Sequence, residues 1–176
     1  MERYFIGTGN RNLLDAANWS LTSGGAPYQP TVGTETISNG DFESGLIGTI
    51  VLGTGQTATW TLNTVNPISG TQDGLLEVTV AGTSSARPSL RFGTGRVVNT
   101  WRRISFKYKV NSGSCVLQYI HDGSGLIVIN QTLTGSGTYT SPYFHTNGTS
   151  QAYLYFSNNV MNVQIDDISE IEYECL

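Results

Sequence analysis

The sequence predicts an all-β protein, a jelly-roll β-sandwich of about eight antiparallel strands with a short N-terminal arm. From Ile37 onward, apolar and polar residues alternate with a period of two, the signature of half-buried strands. Clusters of Gly, Asn, Ser and Asp break that alternation at short intervals, as turns in a sandwich do. The composition agrees: 21 Gly in 176 residues and only 9 Lys plus Arg describe a turn-rich β chain.

Residues 1–36 read apart from the rest, as an N-terminal attachment arm ahead of a sandwich domain over 37–176. Arg3 to Asn10 is a short strand running into a glycine turn, Leu13 to Ser20 is one helical turn, and Leu21 to Pro27 is loop. Beyond Ile37, Ala58, Trp60 and Leu62 alternate with threonines, and Leu76, Val78 and Val80 with Glu77, Thr79 and Ala81. Ile104, Phe106, Tyr108 and Val110 alternate with Arg103, Ser105, Lys107 and Lys109, the clearest strand, apolar on one face and largely cationic on the other. Leu126 to Leu133 is an apolar-rich run, and Ala152, Leu154 and Phe156 alternate with Gln151, Tyr153 and Tyr155. The Gly-Thr-Gly triplets at 7, 53 and 93 lack the Lys-Ser or Lys-Thr pair of a phosphate loop and read as hairpin turns.

A net charge of −4 and the absence of a basic run argue against nucleic acid or an anionic membrane as partner. The first residues contain no apolar core of a secretory leader, and no apolar run is long enough to span a bilayer. Production in cytoplasm is therefore expected. Cys115 and Cys175 are far apart; a bridge between them is geometrically possible but not implied, and they read as free thiols. Catalysis is not expected: no Gly-x-Ser-x-Gly elbow accompanies His121 or His145, and the acids cluster at the edges rather than across a cleft.

Two acidic stretches frame the sandwich, Asn39-Gly40-Asp41-Phe42-Glu43-Ser44-Gly45 and Gln164-Ile165-Asp166-Asp167-Ile168. Acids at opposite ends of one β-domain imply terminal strands lying side by side. They are either pinned by a hard cation such as calcium, which takes carboxylate and carbonyl oxygens, or they are an Asn-Gly turn and solvated strand-end residues. A second group points to sugar. Tyr153 and Tyr155 face away from the core if Leu154 and Phe156 face it, and Tyr119, Gln118, Gln151, Arg103 and Lys107 are read as joining them on one concave sheet. The competing reading is β-propensity alone, or packing against a neighbour.

The stretch Asn39 to Gly45, with Asp73-Gly74-Leu75-Leu76-Glu77-Val78-Thr79-Val80 and Ile165-Asp166-Asp167-Ile168, resembles carbohydrate-binding modules of the family 4, 9 and 22 type, over roughly Ile37 to Tyr173. The resemblance implies a jelly roll and a structural calcium near Asp41, Glu43 and Asp166. Gly7-Thr8-Gly9-Asn10, with Ala17-Asn18-Trp19-Ser20 and Ser23-Gly24-Gly25, resembles a short module at the N-termini of bacteriophage structural and bacterial surface proteins. Phe5 and Arg11 stand here where that module has tryptophans. This second resemblance implies a non-enzymatic virion protein made in the host cytoplasm: a capsid decoration, head fibre or tail-associated subunit. It would dock on other virion proteins through Tyr4, Phe5, Ile6 and Trp19 and self-associate as a homo-oligomer to cover its strand edges. The alternatives are an arm packed on its own domain and a stand-alone carbohydrate-binding module that takes a polysaccharide on its exposed tyrosines.

Overall fold

The computed structural model describes residues 4–5, 19–20, 33–83, 87–92, 100–121, 126–146 and 152–173, and these contain strands, turns and no helix. The first two strands, β1 (Tyr4–Phe5) and β2 (Trp19–Ser20), form a ribbon of their own with Phe5 opposite Trp19. Trp19 and Ser20 are thus extended where the sequence reading places a helical turn. Aromatic residues favour the pleated surface, and here they find a partner strand.

The remaining strands are β3 (Thr34–Glu35), β4 (Thr49–Val51), β5 (Thr57–Asn63), β6 (Asp73–Val80), β7 (Ser89–Phe92), β8 (Thr100–Gly113), β9 (Cys115–His121), β10 (Leu126–Leu133), β11 (Ser136–Thr140), β12 (Phe144–Thr146), β13 (Ala152–Phe156) and β14 (Met161–Tyr173). They make two antiparallel sheets. One has five strands in the order β10-β9-β13-β7-β4. The other has seven, in the order β11-β8-β14-β6-β5, with β12 beside β8 and β3 beside β14. The chain crosses between the sheets repeatedly, which makes the jelly-roll sandwich that the alternation predicts. Its spine is the long β8–β14 pair, running from Met161↔Gly113 to Tyr173↔Trp101.

The period-two reading places most of the core, although Leu62 and Val80, near the ends of β5 and β6, are exposed. Leu76 and Val78, Ile104 and Phe106, Val163 and Ile165 on the larger sheet join Leu90, Phe92, Leu117, Leu154 and Phe156 on the smaller in one buried cluster. Each such side chain contributes about 1.5–3 kcal/mol by leaving water. Trp60 sits in this core with Phe42 and Phe92 edge-on at 5.7 and 6.2 Å, and its indole N–H donates to the Ile47 carbonyl at 2.8 Å.

The Gly53-Thr54-Gly55 turn is not a hairpin. It carries the chain from β4 on the smaller sheet to β5 on the larger, closed by the Gln56 N–H on the Gly53 carbonyl at 3.2 Å. The opening and closing stretches do lie side by side. Thr34 pairs with Glu172 and Glu35 with Ile171, so the last residues of the assigned arm belong to the sandwich. The Ile168 N–H donates to the Gly40 carbonyl at 2.8 Å. A side chain at Gly40 would begin 1.8 Å from the Ile168 carbonyl oxygen, so only glycine permits this approach.

Candidate functional site

Strand β13 reads Ala-Tyr-Leu-Tyr-Phe. Leu154 and Phe156 are fully buried, which turns the half-buried Tyr153 and Tyr155 to the outer face of the five-stranded sheet. Their rings stack, with centroids 5.8 Å apart and planes 15° from parallel. The neighbouring β7 supplies what lies beside them. Tyr153 pairs with Arg91 and Tyr155 with Ser89. The Arg91 guanidinium lies 4.5 Å from the centre of the Tyr153 ring, a cation–π contact. Ser89 is buried beneath the tyrosines. Burial pushes the Tyr155 phenol up, the neighbouring Tyr153 adds to this, and Arg91 and the Ser89 hydrogen bond oppose it. Gln118 joins the face through its side-chain carbonyl, which accepts from Arg87 Nε at 2.7 Å. Tyr119 is the register partner of Tyr155; its side chain, like Gln151, lies outside the described residues.

Arg103 and Lys107 are not part of this surface, a correction to the sequence reading. Strand β8 pairs with β11, β12 and β14 and belongs to the other sheet, and a sandwich turns its two outer faces in opposite directions. Arg103 donates to the Ser141 carbonyl at 3.2 Å and lies 5.1 Å from the Tyr143 ring centre. Lys107 pairs with Asp167 at 2.6 Å, and that hydrogen bond pushes the ammonium pKa up. The residues the sequence reading missed are Arg91, Ser89 and Arg87. The signal for them was the alternation of Ser89 and Arg91 with Leu90 and Phe92, a run short enough to pass unread.

Of the acidic stretches, the first forms the turn that the sequence reading offers, with Asp41 on it, and the second departs from that reading. Asp166 is fully buried rather than a solvated strand end. Its Oδ2 accepts from the Ser69 hydroxyl at 2.6 Å and the Ser69 N–H at 3.0 Å, and its Oδ1 from the Asp167 N–H at 2.8 Å. Glu43 accepts from the Thr71 hydroxyl at 2.5 Å and the Thr71 N–H at 2.8 Å, the hydroxyl bond first among the causes that lower its pKa. Asp41 closes a local turn onto the Glu43 N–H at 3.4 Å. Asp73, on β6, accepts from the Ile68 N–H at 2.8 Å, and burial raises its pKa. Glu43, Asp73 and Asp166 strap the segment 64–72 across the outer face of the larger sheet. Asp41, Glu43 and Asp166 each accept from donors of different segments: Asp41 from its own turn, Glu43 from Thr71 and Asp166 from Ser69. Among the described residues no three acids, histidines or cysteines gather closely enough to hold a metal.

Of the assembly residues, Tyr4, Phe5 and Trp19 lie in the β1–β2 ribbon and Ile6 falls outside the described residues.

No family model matches the chain. No curated protein matches it either. Solved structures do, and they agree on the fold. The N-terminal tandem of two family 22 carbohydrate-binding modules from Paenibacillus barcinonensis Xyn10C is similar at a TM-score of 0.59 and 13% identity, over 84% of this chain and 48% of that one. The family 11 carbohydrate-binding module of Clostridium thermocellum, solved with a β-1,3-1,4-mixed-linked tetrasaccharide, is similar at 0.53 and 17% identity, over 80% and 96%. The enzymatically active domain of tailspike protein 4 from bacteriophage CBA120 is similar at 0.53 and 15% identity, over 78% of this chain. The chain spans only 21% of that tailspike domain. The protein therefore has the β-sandwich fold of carbohydrate-binding modules.

Proposed function

We propose that this chain is a non-enzymatic glycan-binding sandwich that holds sugar on the outer face of its five-stranded sheet. The observation that carries the reading is the stacked, half-buried pair Tyr153 and Tyr155. Parallel aromatic faces offer the apolar platform that a pyranose ring needs, and Arg91, Gln118 and Arg87 set hydrogen-bonding groups beside it. The strands of this sheet contain no Asp or Glu, and glycoside hydrolysis works through a pair of such acids. The likeness to carbohydrate-binding modules supports the same class. The test is affinity electrophoresis against soluble polysaccharides with Tyr153→Ala and Tyr155→Ala. Each ring is worth about 0.5–1.5 kcal/mol, so each variant should weaken binding by roughly two- to tenfold while keeping its circular dichroism. Unchanged retardation in both variants refutes the site.

A second reading concerns where such a module works. We infer a virion subunit, supported by the likeness to part of a phage tailspike domain and by the ribbon β1–β2 in the stretch that resembles phage N-terminal modules. In this reading the arm docks on other virion proteins and the sandwich projects outward. Deleting residues 1–30 should leave a folded sandwich that no longer joins particles; a truncated protein that still assembles rules the arm out.

A further inference from the structure

The tyrosine face has a charge character of its own. The described acids lie in the opening loop and on the seven-stranded sheet, while the strands of the five-stranded sheet carry none. The net charge of −4 therefore does not describe this surface. Most of the other described cations reach an acceptor within the fold. Arg102 meets Glu170 and Glu172, Lys107 meets Asp167, and Lys109 donates to the Asn66 carbonyl at 3.3 Å. Arg103 donates to a carbonyl and Arg87 to Gln118. Arg91 is different. Its guanidinium stacks on Tyr153, it makes no ion pair among the described residues, and its Nε is buried without a hydrogen-bond partner. Asp122, which follows the register partner of Tyr153, lies outside the described residues.

An aromatic platform beside a pre-positioned guanidinium without an ion pair among the described residues has a definite complement. The platform takes a ring, and the paired Nη groups of the guanidinium take a carboxylate in two parallel hydrogen bonds. We infer that the glycan carried by this face is acidic, a uronate-containing chain whose carboxylate meets Arg91 while its ring lies against Tyr155. This inference rests on the glycan-binding reading above and names the sugar class within it.

The test is titration calorimetry of the full chain against tetramers of galacturonate, mannuronate and the glucuronate–N-acetylglucosamine repeat. Methyl-esterified tetragalacturonate and xylotetraose are the uncharged controls. A charge-assisted pair predicts that at least one free acid binds about tenfold tighter than its uncharged counterpart, with the preference shrinking as salt rises. Arg91→Gln should abolish that preference, Arg91→Lys should keep part of it, and Tyr155→Ala should weaken acid and ester alike. Circular dichroism checks that each variant is folded. If the ester or xylotetraose binds as well as the acids and Arg91→Gln changes nothing, the acidic-sugar inference is overturned and the glycan-binding reading stands. If the wild-type protein binds none of the sugars, both fall.

Discussion

Strand β8 places a cation where its pattern calls for an apolar side chain, and that choice has a measurable consequence. Thr100, Arg102, Ile104 and Phe106 all face inward, and Arg102 is 1% exposed. Its guanidinium reaches Glu170, 2% exposed, at 3.3 Å and Glu172, 18% exposed, at 2.6 Å. The Thr36 hydroxyl donates to the same Glu170 oxygen at 2.7 Å, so the cluster also ties the start of the sandwich to its last strand. At an effective dielectric constant of about 20, charges this close attract by roughly 5 kcal/mol, of the same order as the several kcal/mol that desolvation costs each ion. The intact cluster is therefore close to neutral, while removing one partner is not. Arg102→Met leaves a buried carboxylate without its counter-charge and should destabilise the protein by about 3–5 kcal/mol. For a chain of this length that is a fall of roughly 6–20 °C in Tm. The assay is urea unfolding followed by tryptophan fluorescence, run beside the double variant Arg102→Met with Glu170→Met. The double variant should recover much of the loss, because two apolar groups of similar volume remove the desolvation penalty with the attraction. A single variant that loses less than about 1 kcal/mol, or a double variant worse than the single, would falsify the argument.

Other perturbations test separate parts of the fold. A Cβ on Gly74 would start 2.1 Å from the Trp60 ring, which is pinned by its bond to Ile47; Gly74→Ala should cost about 1–3 kcal/mol of urea stability, and an unchanged midpoint would mean that Trp60 moves freely. Because no three acids, histidines or cysteines gather among the described residues, Tm should be the same in millimolar calcium and in chelator. A Tm that climbs with the logarithm of calcium concentration would show a native-state site instead. Burial pushes the Cys115 thiol from 9.0 and the Tyr139 phenol from 10.0 up to about 12. The folded chain holds these protons after the unfolded chain has released them. Their contribution is full below pH 9 and is lost as pH rises toward 12, so urea stability should decline over that range and Cys115→Ala should flatten part of the slope. A flat alkaline profile contradicts the burial of both groups.

Much of the fold was legible in the chain because strand burial is a local property. The side on which Leu76, Val78, Ile104, Phe106, Leu154 or Phe156 points follows from a two-residue period, and the structure buries all of them. The same period turned Tyr153 and Tyr155 outward. The opening loop was legible too, since Asn39 and Gly45 are turn residues, and the structure joins them through an Asn39 Nδ2 bond to the Gly45 carbonyl at 2.8 Å. What periodicity cannot carry is the sheet to which a strand belongs. Alternation tells a residue its face on its own strand, and closing a longer loop to a different neighbour adds only slowly to the entropy cost, so distant partners compete nearly evenly with near ones. That is why Arg103 was grouped with the tyrosines although β8 pairs with β14, and why Arg91, on a four-residue strand, emerged only when β7 was seen beside β13. It is also why Asp166 read as solvated. Its burial depends on the segment 64–72 folding over it from 97 residues away. The sequence by itself determined which side of its clearly alternating strands meets the core. Only the tertiary structure decided which strands share a sheet, and with that which polar groups meet.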